Sequence, residues 1–176
     1  MILFCVLGFV GICLFGAMFH FVYDWCNHNK FISLFFAVNE STWEHIKMGL
    51  LPAFIWAIIG LFTVQCNNYN FGVFVAFSSI IVLIPAMFYG YKCFTKRNIL
   101  LFDIAIFIVA VGLSMFFAYL IFNAPVFANV FNIIGIIGYS LIILSFLALT
   151  FFPPKFFLFI DPNTLDYGHS AHSDDN

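Results

Sequence analysis

The chain has 176 residues, 64% of them hydrophobic and only 8% charged, where a soluble globular chain carries about a quarter charged residues. A water-soluble fold of this size has no means of covering so much apolar surface, and the composition therefore excludes a soluble enzyme or binding domain. A net charge of −2 with six Lys plus Arg, and no basic patch interleaved with stacking aromatics, excludes nucleic acid as a partner and leaves the lipid bilayer.

Five stretches reach the roughly 20 apolar residues that a helix needs to cross a bilayer core: residues 1–22, 46–65, 71–91, 99–122 and 128–152. The fold class expected is all-α, an integral membrane bundle of five transmembrane helices forming a single domain over 1–168, with a polar tail at 169–176. The first stretch lacks a cationic start and a small-x-small cleavage site before Tyr23 and Asp24, so it is read as a retained span and not a leader. It ends with His20 and Asp24, four residues apart and thus on one helix face.

The first connection contains residues 31–38, all apolar or small, far short of a span and expected to lie in the interface or dip back into it. Asn39-Glu40-Ser41-Thr42-Trp43-Glu44-His45-Ile46-Lys47 follows. Ser41 with Glu44 three residues later is a capping box, which starts the second helix at Ser41 and gives Glu44 a structural role. Glu40 and His45 have no such explanation.

Gly49, Ala53 and Ala57 on the second helix, and Ala110, Ser114 and Ala118 on the fourth, repeat at four-residue spacing. Small residues let helix backbones approach in lipid, so both ladders are expected to be seams within the bundle, with a homodimer face as the rival. Pro52 falls early in the second helix, where a missing N–H is tolerated, and Pro85 late in the third. Asp103, near the start of the fourth helix, is the carboxylate placed most clearly inside a span. Such a residue faces the bundle or a wet cavity, or is held by the helix dipole.

Pro153-Pro154 ends the fifth helix. Residues 156–160 are apolar and re-enter the interface, and Asp161-Pro162-Asn163 is a turn signal that brings Asp161 back beneath the bundle. His169, His172, Asp174 and Asp175 are read as a solvated tail and left out of the site. The five cysteines, Cys5, Cys13, Cys26, Cys66 and Cys93, contain no CxxC pair and read as free thiols.

Lys30 and Lys47 lie in or beside the first connection, Lys92, Lys96 and Arg97 in the third, and Lys155 after the fifth helix, whereas the second and fourth connections carry no charge. The positive-inside rule then puts the N-terminus outside and the C-terminus in the cytoplasm.

His20-Phe21-x-Tyr23-x-Trp25, Val38-Asn39-Glu40-Ser41-x-Trp43-Glu44-His45-x-Lys47, Asp103-Ile104, Pro153-Pro154, Phe159-x-Asp161-Pro162 and Tyr167-Gly168 together resemble an uncharacterised family of small bacterial, Firmicutes-type, multi-pass membrane proteins marked by an Asn-Glu-Ser-x-Trp-Glu-His string. The resemblance implies a shared membrane fold in the cell membrane and no particular reaction. One departure is Ala37, where that family's pattern has Pro.

Three functions follow from these residues. The first is a structural or accessory membrane component, in which Asn39, Glu40, Trp43, His45, Lys47, Asp24, Asp103, Asp161 and Tyr167 lock loops onto the bundle; it allows a homo-oligomer or a partner subunit. The second is a metal-dependent hydrolase acting on a lipid or amphiphile. Its divalent ion, zinc by ligand type, is held by His20, His45, Asp103 and Asp161, with Glu40 or Glu44 as base. The third is a small-solute or proton-coupled transporter using Asp103, Glu44 and His45.

Overall fold

A computed structural model of the protein describes residues 1–27, 29, 31–97, 99–161 and 164–167. The tail at 169–176, together with His28, Lys30, Pro162, Asn163 and Gly168, lies outside the described residues.

The five apolar runs form five helices, α1 (Ile2–Trp25), α2 (Thr42–Thr63), α3 (Tyr69–Thr95), α4 (Leu100–Asn123) and α5 (Asn129–Phe151). Each is long and apolar enough to cross a membrane, and at about 1.5 Å per residue each exceeds the roughly 30 Å hydrocarbon thickness. The chain is thus a multi-pass membrane protein. α2 starts at Thr42 directly after the Ser41 cap, as the capping box predicts, whereas α3 runs a full turn beyond its expected end, to Thr95. The added turn of α3 lies at the end of the bundle that carries the polar residues and closes on Lys96 in the left-handed conformation, its N–H bonded to the Lys92 carbonyl. That end, formed by the α1–α2 and α3–α4 connections and the segment after α5, is called the rim below.

α3 packs on α2, α4 and α5, and α1 packs on α2 and α4. Small residues make these approaches possible. Gly135 on α5 lies so close to α3 that an added Cβ would sit 2.5 Å from the Asn70 carbonyl. Ala53, Ala110 and Ala118 are buried, and Ser114 is fully buried with its hydroxyl donating to the Val111 carbonyl at 2.8 Å. Both small-residue ladders are therefore seams inside one chain. α3 runs unbroken through Pro85.

Opposite the rim, Asn68 ties the α2–α3 turn to the α4–α5 connection. Its amide nitrogen lies 3.2 Å from the carbonyls of Ile121 and Ala124 and 3.0 Å from that of Pro125, and its oxygen accepts from the Phe127 N–H at 2.9 Å. One buried amide thus satisfies backbone groups that lipid cannot.

Candidate functional site

The rim is built in two layers, one closed and one reached by solvent. The closed layer begins at the α2 N-terminus. Ser41 is the N-cap, its Oγ 3.4 Å from the Glu44 N–H, as the capping box requires. The reciprocal bond is made differently, because the Ser41 N–H donates to Asn39 Oδ1 at 2.9 Å. This leaves the Glu44 carboxylate to reach further back, where Oε2 accepts from the Val38 N–H at 3.1 Å and from Lys47 Nζ at 2.8 Å.

Lys47 is completely buried. An ammonium has three donors, and here each has an acceptor: Glu44 Oε2, the Ser33 carbonyl at 3.0 Å and the Phe36 carbonyl at 3.1 Å. Ser33 belongs to a single 3₁₀ turn, Ile32–Leu34, within the first connection. The apolar stretch expected to dip into the interface is therefore stapled to α2 by a saturated cation. Lys47 Nζ also stands 5.7 Å from the centre of the Phe146 ring of α5, which brings that helix to the same charge.

The segment after α5 docks on this layer. Its 3₁₀ turn, Phe157–Phe159, lays the Phe159 ring 5.1 Å from that of buried Trp43. Tyr89 of α3 bridges α2 and this segment, its hydroxyl 3.0 Å from Thr42 Oγ1 and donating to the Phe157 carbonyl at 3.3 Å. Ile160 bridges to Tyr167 in antiparallel register, which returns buried Asp161 to the bundle, and Asp161 Oδ2 accepts from the Glu40 N–H at 3.3 Å. Tyr167 packs half-buried against the core.

The open layer consists of His20, Glu40 and His45, with side chains 32%, 43% and 30% exposed. Glu40 stands between the two imidazoles: Oε1 is 3.3 Å from His20 Nε2 and Oε2 is 3.7 Å from His45 Nε2. His45 Nδ1 lies 3.0 Å from the Ser41 carbonyl. A carbonyl only accepts, so Nδ1 carries the hydrogen and Nε2 is the nitrogen turned to Glu40. On His20 the inner nitrogen, Nδ1, is buried without a hydrogen-bond partner. Asp24 is exposed one turn further along α1.

The residues singled out in the sequence thus fall into separate groups. Glu44 and Lys47 are buried together; His20, Glu40 and His45 meet; Asn39, Trp43 and Asp161 join the first connection, α2 and the C-terminal segment. Asp103 belongs elsewhere, within the α3–α4 hairpin, where its Oδ1 accepts from the Tyr91 hydroxyl at 2.5 Å, a group that also accepts from the Ile99 N–H at 3.3 Å. Among the described residues no group of three or more His, Cys, Asp or Glu is arranged, as it stands, to hold a metal ion. Sequence reasoning missed Asn68, Tyr89 and Tyr91. The Asn67-Asn68-Tyr69-Asn70 string signals a turn, but nothing in it distinguishes the amide that becomes buried.

A model described as a family of unknown function, DUF6512, matches residues 3–169. No curated protein and no solved structure matches the chain.

Proposed function

The chain belongs to DUF6512, a family of unknown function, and we propose that it serves as a structural or accessory component of a bacterial cell membrane, N-terminus outside and rim in the cytoplasm. The polar residues of the rim hold its own loops in a fixed shape that a partner subunit or a second copy reads.

The observation that carries this reading is Lys47, fully buried with three acceptors on three donors. Desolvating a charge is costly unless every bond is made, and an ammonium with all three donors engaged by the first connection and Glu44 acts as a structural fastening. Glu44, the other half of the pair, is buried with it and accepts on Oε2 from both Lys47 and the Val38 N–H. Of the two carboxylates considered as a base, only Glu40 is reached by solvent.

The competing readings, hydrolysis of an amphiphile and transport of a solute, draw on the open layer alone. Reconstitution separates them. Protein extracted in mild detergent is expected to run with a membrane partner or as an oligomer on native gels, and to be inert in liposomes toward ester and amide amphiphiles and toward proton and solute gradients. Turnover or flux lost in Glu40→Gln would overturn the accessory reading.

A further inference from the structure

We propose that the α3–α4 hairpin is a binding surface for anionic phospholipid, which it holds by its headgroup through the charges of Lys92, Lys96 and Arg97. The inference goes beyond the accessory role and does not depend on it.

Three of the chain's six Lys and Arg fall within residues 92–97. Among the described residues none of the three pairs with a carboxylate, and Asp103, the acidic residue of the hairpin, is engaged by the Tyr91 hydroxyl. The hairpin therefore presents uncompensated positive charge on a chain whose net charge is −2. Its shape is fixed locally. Thr95 Oγ1 lies 3.2 Å from the Tyr91 carbonyl and 3.0 Å from that of Arg97, Lys96 closes α3 in the left-handed conformation, and the Tyr91 hydroxyl accepts from the Ile99 N–H at 3.3 Å. An anion that meets these charges does not have to order the connection first.

The neighbours of these cations decide which anion fits. Phe94, between Lys92 and Lys96, is 89% exposed, and Leu100 and Leu101, just beyond Arg97, are 75% and 71% exposed. Apolar side chains this bare are unfavourable in water and at home among acyl chains. Interleaved with cations at one end of a span, they set the hairpin at the boundary where headgroup phosphates meet hydrocarbon. Lys92 leans the same way: its Nζ lies 4.7 Å from the centre of the Phe88 ring, one turn further into α3, a cation–π contact that holds the ammonium against apolar side chains. A soluble anion would match the charges and leave Phe94, Leu100 and Leu101 in water. An acidic protein would need an apolar face of its own to cover them, whereas an anionic phospholipid brings acyl chain and phosphate together.

The test uses the full chain reconstituted in phosphatidylcholine vesicles that carry a trace of spin-labelled phosphatidylglycerol or spin-labelled phosphatidylcholine. Electron paramagnetic resonance reads the motionally restricted fraction of each. At low ionic strength the phosphatidylglycerol is expected to be enriched at the protein surface by at least about threefold, since each juxtamembrane cation is worth about fivefold toward an anionic surface. The ratio should fall toward parity at about 1 M salt, where the screening length is about 3 Å. The triple variant Lys92→Gln/Lys96→Gln/Arg97→Gln is expected to lose the preference, while Lys155→Gln, which removes the cation after α5, keeps most of it. A parent with no preference at low salt overturns the proposal and needs no variant to fold; so does a preference that survives high salt or the triple substitution. Millimolar inorganic phosphate, added at constant ionic strength, is expected to leave the ratio unchanged. If it abolishes the preference, the surface takes a free anion and the proposal fails. A parent without lipid preference that retains an acidic protein through purification, lost in the triple variant, would assign the surface to a protein instead.

Discussion

Replacing Lys47 by Met tests the closed layer most sharply. The thioether keeps the length of the side chain and removes the ammonium, which leaves the Glu44 carboxylate, only 3% exposed, with the Val38 N–H as its remaining described bond. The Ser33 and Phe36 carbonyls lose a donor at the same time. Removing one partner of a buried ion pair costs about 3–5 kcal/mol, which for a chain of this length is a fall of about 10 °C in the melting midpoint. The double variant Lys47→Met/Glu44→Gln removes both charges, and the Gln oxygen still accepts from Val38. Its loss is expected to be about 1–3 kcal/mol, from the stranded carbonyls alone, so the double is more stable than the Lys47→Met single. Melting in detergent, followed by a thiol-reactive dye that reaches the buried Cys5 and half-buried Cys13 on unfolding, measures both. A single variant that melts within about 2 °C of the parent, or a double that loses the sum of the two singles, would refute the reasoning.

Three further outcomes are expected from the same melting assay. Asn68→Ala strands the carbonyls and the Phe127 N–H at the opposite end and should cost about 2–3 kcal/mol. Gly135→Val drives a branched side chain against the Asn70 backbone and should cost about 1–3 kcal/mol, whereas Gly11→Ala, which meets nothing within 4 Å, should be neutral or slightly stabilising. Asp103→Asn keeps an acceptor for the Tyr91 hydroxyl and should cost well under about 1 kcal/mol, while Asp103→Leu removes that acceptor and should cost about 1 kcal/mol or more.

What the sequence makes legible follows from how local each signal is. The five helices are read from unbroken apolar runs, because a bilayer demands about 20 such residues whatever the packing. The start of α2 is read from Ser41 and Glu44, because a cap is a four-residue device. The depth of Lys47 is not legible in this way. A lysine at the start of a span reads as a rim cation, and only its position three residues after Glu44 hints at the pair; burial comes from the first connection folding over it. Asp103 shows the same limit from the other side. Its place within a span is plain, but its partner is set by how the α3–α4 hairpin closes, which brings Tyr91 and not a histidine to it. His20, Glu40 and His45 are individually conspicuous, and their meeting depends on α1 ending beside the start of α2.

The central claim, that one chain crosses the bilayer five times and gathers its polar residues at one end, is tested most directly by cysteine accessibility in intact cells. In a chain otherwise free of cysteine, Lys96→Cys and Thr164→Cys are expected to react with an impermeant maleimide only after permeabilisation. Asn67→Cys, exposed at the other end, is expected to react without it. Labelling of the Lys96 and Thr164 positions from opposite sides would contradict the fold and separate the groups that the rim brings together.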